Sequence, residues 1–224
     1  MTLVELLAVM AIIVILIGLL GPAIKGISST AGRKGAVNIL MNTLEQARAA
    51  ALESGTNVYV LLLRREFPDS DVISVVRDPL LWKTSSKSSA TLETNLVPMS
   101  KWIPIPQGVL LYKPDKGNTI FSAAIPSKLK AQIEDEVPGP GGKALKDVKD
   151  GDLALIWYTP SGLIRQPLAA DARIVITEGV RDSSGMEARI SNQKEGQGVG
   201  GGFEVISLTR FTGRAQLDVT TLHD

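Results

Sequence analysis

Glu5 is the one ionisable side chain in a run that is otherwise apolar from Leu3 to Leu20. A carboxylate surrounded by hydrocarbon is too costly to keep without a cation beside it. The run itself contains none, and the nearest candidate is an α-amino group. That group is either the chain's own Met1 amine or the Met1 amine of an identical neighbour. If the neighbour supplies it, the charge pair is an assembly device. Other residues of chemical interest fit worse. Gly196-Gln197-Gly198-Val199-Gly200-Gly201 has the spacing of a dinucleotide-phosphate loop. That chemistry needs a strand before the glycines and a helix after them, so that helix amides meet the phosphates. Polar Ser191–Glu195 precedes this run and an apolar strand pattern follows it, so it reads as a loop. Gly142-Lys143 is followed by Ala144 where a phosphate loop needs Ser or Thr, and Val137 stands where its first glycine belongs.

Acidic and basic groups read mainly as surface. Glu134-Asp135-Glu136 has Lys128 and Lys130 nearby and reads as a charged helix face rather than an acid–base pair. Asp69 with Asp71, or Asp147 with Asp150 and Asp152, offers oxygens to calcium but lacks the fixed spacing of a recognised loop. Arg64, Arg65, Lys83, Lys87, Lys101, Arg210 and Arg214 would contact nucleic-acid phosphates if folding gathered them, but acids are interleaved throughout. Cysteine is absent, which excludes disulfides, thiolate metal sites and cysteine nucleophiles, and the single histidine, His223, is penultimate. No catalytic residue, metal or cofactor is expected. The net charge of +1 gives no global pull toward polyanions.

These residues need elements to carry them. Residues 1–24 are apolar and close to the length that spans a bilayer, roughly 20 residues. Gly18, Gly21 and Pro22 predict a hinge, because Pro22 removes the bond to Gly18 and glycine lowers resistance to unwinding. Residues 25–54 continue as an amphipathic helix, with Val37, Leu40, Leu44, Ala47 and Ala51 on one face. Asn38, Asn42, Glu45, Arg48 and Glu53 take the other positions, and Ser54-Gly55 supplies a stop. Residues 55–224 form a β-rich globular domain. Its strands are predicted at Asn57–Leu63, Asp71–Val76, Val109–Tyr112, Leu153–Tyr158, Leu163–Ile164, Arg173–Thr177, Phe203–Leu208 and Ala215–Val219. A short surface helix is predicted at Ser127–Val137, ended by Pro138-Gly139-Pro140, and loops at Thr84–Asn95 and Gln193–Gly202.

Thr2-Leu3-Val4-Glu5-Leu6-Leu7 resembles the start of mature type IV pilins and of type II secretion pseudopilins. Glu5 and Pro22 fall in that family's register, while Met1 stands where it usually has Phe. Met1 is either an initiator or the first residue left by processing, and the register favours processing. The resemblance implies an α+β fold: a long N-terminal helix, membrane-spanning in its first half, packed on an antiparallel β-rich domain. It implies cleavage by a prepilin peptidase, N-methylation of Met1, and subunit assembly through Thr2 and Glu5. It further implies an inner-membrane assembly platform, a single-pass inner-membrane location before assembly, and a periplasmic or surface helical filament afterwards. Leu44-Glu45-Gln46-Ala47-Arg48, Tyr158-Thr159-Pro160-Ser161-Gly162 and Thr212-Gly213-Arg214 are similar to the H-type minor pseudopilins. The expected function is thus that of a structural pilin or pseudopilin subunit in a filament of identical or related chains, with a DNA-binding minor pilin as the alternative.

Overall fold

The computed structural model describes residues 31–65, 69–79, 95–113, 120–142, 145–149, 151–165, 172–181, 187–188 and 203–218. Helix α1 occupies residues 31–54 and ends at Gly55, whose positive φ of 64° lets its amide turn back to the Ala51 carbonyl. Two antiparallel sheets follow. The first comprises β1 (Val58–Leu63), β2 (Val72–Arg77), β3 (Val97–Pro98), β4 (Ile103–Pro104) and β6 (Leu153–Tyr158), ordered β3-β2-β1-β6 with β4 also on β2. The second is ordered β11-β10-β7-β5, with β5 at Val109–Tyr112, β7 at Ala172–Glu178, β10 at Glu204–Leu208 and β11 at Ala215–Asp218. Strands β8 (Val180–Arg181) and β9 (Glu187–Ala188) form a separate ribbon.

One core joins the α1 stripe to a face of each sheet. Ala36, Val37, Leu40, Leu44, Ala47 and Ala51 meet Val60 and Leu62 of β1, Ile156 of β6, Ile174 and Ile176 of β7, and Ile206 of β10. The opposite face of the first sheet builds a second cluster from Tyr59, Leu61, Leu153 and Leu155. Helix α2 (Ser127–Glu136) covers it with Leu129 and Ile133, one helical turn apart on the same side. Strand β1 is therefore buried on both faces, which explains its unbroken apolar sequence VYVLLL.

The expected fold, with a long N-terminal helix whose first half spans a membrane, is corrected. Among the described residues the architecture is mostly antiparallel sheet, and no helix is long and apolar enough to cross a membrane. The single-pass inner-membrane location is corrected by the same finding. The physical reason lies in α1, where Arg33, Lys34, Glu45, Arg48 and Glu53 recur along the helix and each resists transfer into hydrocarbon. Residues 1–24, the predicted hinge and residues 25–30 lie outside the described residues. So do the predicted loops, save Asn95.

Candidate functional site

The sequence-predicted site residues Met1, Thr2, Glu5, Gly18, Gly21 and Pro22 all lie outside the described residues, as do Lys83, Lys87, Gly196–Gly201 and His223. Within the described fold, the functional question becomes how α1, which leads out of those residues, is held to the sheets. Near residue 31 the guanidinium Nε of Arg33 lies 2.7 Å from Oε1 of Glu178, at the end of β7. Both side chains are largely buried, so this pair is shielded from the screening that weakens surface ion pairs. Gly32 lets the helix approach Val109 closely, since a Cβ there would stand only 3.2 Å from that side chain.

The other end of α1 is clamped by two turns. Arg48 Nε donates to the Thr212 carbonyl at 2.9 Å, in the turn between β10 and β11. That turn meets the turn after β6: the Ile164 amide donates to the Arg210 carbonyl at 3.2 Å, and Gly213 packs directly on the Gly162 carbonyl. Leu52 of α1 lies against Gly162 from the other side. The segments Leu44–Arg48, Tyr158–Gly162 and Thr212–Arg214 thus converge at one junction. Beneath it the Tyr158 ring is fully buried, and its phenol is pushed well above the ordinary tyrosine range by burial, with the Glu45 carboxylate adding to the effect. Around the junction Leu52, Leu163 and Phe211 remain exposed, Phe211 at 81%.

The residues weighed for other chemistry are engaged in structure. Asp71 is buried, and its carboxylate accepts the Arg65 amide on Oδ1 and the Leu111 amide on Oδ2, both at 2.7 Å. It therefore ties the first sheet to β5 of the second. Asp69 pairs with Arg65, and Asp152 with Arg64 at 3.2 Å. Glu134 faces Lys130 at 3.7 Å, Asp135 pairs with Lys146, and Glu136 accepts the Leu96 amide at 2.6 Å. Among the described residues no three His, Cys, Asp or Glu side chains gather as a metal would require. The basic stripe is divided: the Arg64 guanidinium is buried against Phe121 and Asp152, whereas Lys101 is exposed on one loop and Arg210 and Arg214 on the turn between β10 and β11.

Sequence reasoning missed the Arg33–Glu178 pair, because nothing local marks two charges far apart in the chain as partners. It weighed Asp71 only as an oxygen donor to calcium, which its spacing disfavours, and did not foresee that its carboxylate holds two backbone amides. Comparison with protein-family models, curated proteins and solved structures finds no match to this chain.

Proposed function

We propose that the chain is a structural subunit of a helical filament of the type IV pilus or type II secretion kind, and not an enzyme. The observation that carries this reading is Glu5, the one ionisable side chain in an apolar run that holds no cation, so that an α-amino group is its nearest partner and a neighbouring copy can supply it. Repeated head-to-tail pairing of that kind generates a filament where the rotation between copies does not close into a ring. The Glu5–amine pair sets the register between copies, and α1 carries the sheets along on its outer side. Prepilin peptidase, an assembly platform and related subunits are the partners this role requires.

Two measurements test it. Glu5→Val is expected to abolish or strongly slow filament formation, scored by electron microscopy of cells expressing the full chain; assembly at the normal rate refutes the pairing. Intact-mass and amino-terminal peptide analysis of native filaments is expected to find a chain beginning at Met1 with one added methyl. An unmodified terminus, or another first residue, refutes the processing. A DNA-binding role is the second reading, favoured by Arg210, Phe211 and Arg214 exposed on a single turn. A basic turn with an exposed aromatic suits a nucleic-acid backbone and its bases. Salt-dependent binding lost in Arg214→Ala would support that role.

A further inference from the structure

A cleft of about 290 Å³ opens beside β6, on the face of the first sheet opposite α1. Its apolar wall is made by Ile125, Pro126, Leu155 and Trp157, and Arg165 and Arg210 stand at its rim. Among the described residues no acid lines it. A neighbouring cleft of similar size, sharing Ala123, Ala124 and Ile125, is different: Lys130 and Glu134 line it and pair with each other. The cleft at Arg165 is thus lined by two arginines, with the Asp78 carboxylate set behind it on the Tyr59 hydroxyl.

Several independent features reinforce that charge. The Arg165 guanidinium lies 4.8 Å above the Trp157 ring, which in turn packs on Tyr59 at 5.5 Å, so the cation is held in place by stacking. Pro126, on the cleft wall, is also the residue from which α2 starts. It provides no side-chain cap, and the first turn of α2 carries no acid. The first intrahelical bond runs from the Lys130 amide to the Pro126 carbonyl, leaving the earlier amides without helical acceptors and the positive end of the helix at the cleft. Trp157 Nε1 is buried with no acceptor among the described residues.

The occupant follows from size and charge. Drug-sized ligands and cofactors fill pockets of roughly 300–1,000 Å³, so this cleft sits at the lower limit and suits a side chain better than a nucleotide. We propose that it binds an acidic peptide segment of a partner protein, seating one apolar or aromatic side chain against Leu155 and Trp157 while an adjacent carboxylate meets Arg165. This proposal does not rest on the filament reading, which is carried by Glu5.

The test uses the full chain in non-ionic detergent, titrated with acetyl-Asp-Phe-Asp-amide and with its acetyl-Asn-Phe-Asn-amide analogue. Heteronuclear NMR follows the Trp157 indole, assigned through Trp157→Phe, with the Trp102 indole, bonded to the Pro138 carbonyl, as internal control. The acidic peptide is expected to shift Trp157 and spare Trp102, and the Asn analogue to bind roughly tenfold more weakly or worse. Arg165→Gln is expected to weaken the acidic peptide by a similar factor. Four results overturn the proposal: no shift at Trp157, equal binding of both peptides, the same shift from sodium acetate alone, or unchanged affinity in a folded Arg165→Gln chain. The comparison of peptides on the unaltered chain stands even if that variant fails to fold.

Discussion

Gly213→Ala should damage the junction that fixes α1 to the sheets. Gly213 has a φ of 65°, and its amide donates to the Thr209 carbonyl at 2.8 Å to close the turn. A Cβ there would stand closer than 3.0 Å to the Gly162 carbonyl oxygen, nearer than real Cβ atoms come, and only 3.3 Å from Cδ of Arg48. The obstacle is backbone and cannot rotate away. Gly162 is itself confined, with a φ of 73° and Leu52 atoms 3.1 Å from where its own Cβ would be. The left-handed conformation costs alanine about 1–2 kcal/mol, and forcing the turns apart adds about 1–3 kcal/mol, as overpacking does. Gly141 provides the control, with a φ of 70° and nothing within 4 Å of its Cβ position, so Gly141→Ala incurs only the conformational part. Urea unfolding of both variants should place Gly213→Ala lower than Gly141→Ala by at least about 1 kcal/mol. Equal losses would show that the two turns do not bear on one another in solution.

Other expectations follow from buried polar groups. Asp71→Asn turns one carboxylate oxygen into a donor facing a backbone amide, and should cost about 1–3 kcal/mol in urea unfolding with faster hydrogen exchange at Leu111. Unchanged stability would refute its role as a tie between the sheets. The phenols of Tyr59 and Tyr158 are both raised by burial; the hydrogen bond to Asp78 adds to the effect at Tyr59, and the Glu45 carboxylate at Tyr158. Raised folded values mean that the stability they contribute is complete below the unfolded tyrosine value of about 10 and is lost as pH climbs through the folded values. The chain should therefore lose stability progressively above that point, measured by thermal melts across an alkaline series. Tyr59→Phe with Tyr158→Phe should flatten that dependence, and an unaltered slope would refute the assignment.

Strong local periodicity made much of the β domain legible. β1, β2, β5, β6, β7, β10 and β11 fall within a residue or two of the apolar runs that announced them, and α2 within one residue of its predicted end. The stripe Val37, Leu40, Leu44, Ala47 and Ala51 is buried, while Asn38, Asn42 and Glu45 are exposed. Strands β3 and β4 carried no such signal, because Pro98 and Pro104 argue against strand. Both sit on the outer edge of β2, where an amide facing away from the ladder is not needed. Between them the chain bulges, and Ser100 Oγ accepts the Val75 amide at 2.9 Å in place of a backbone carbonyl. The membrane-spanning helix was overread, since an apolar run by itself fixes neither the helix that contains it nor that helix's surroundings. The candidate site was the least legible part. Arg48 with Thr212, Gly162 with Gly213, and Arg33 with Glu178 are pairings set by sheet topology, and residues distant in sequence leave no local trace of them.

Strand β6 shows how one short segment can serve two separable purposes. Its side chains alternate across the sheet, so Ala154, Ile156 and Tyr158 enter the core shared with α1, while Leu153, Leu155 and Trp157 face the other way. Tyr158 lies beneath the junction that clamps the helix, and Trp157, the residue before it, lines the cleft at Arg165. The backbone is held rigidly between them, since β1 pairs with β6 along its whole length and the Arg165 amide caps its far end at the Trp157 carbonyl, 2.8 Å away. A substitution at Arg165 changes charge and stacking on the cleft side without entering the core that holds α1. Gly213→Ala, conversely, strains the clamp while leaving Trp157 and Arg165 in their stack. Peptide binding and the hold on α1 should therefore be separable by mutation, even though Trp157 and Tyr158 are neighbours on one strand.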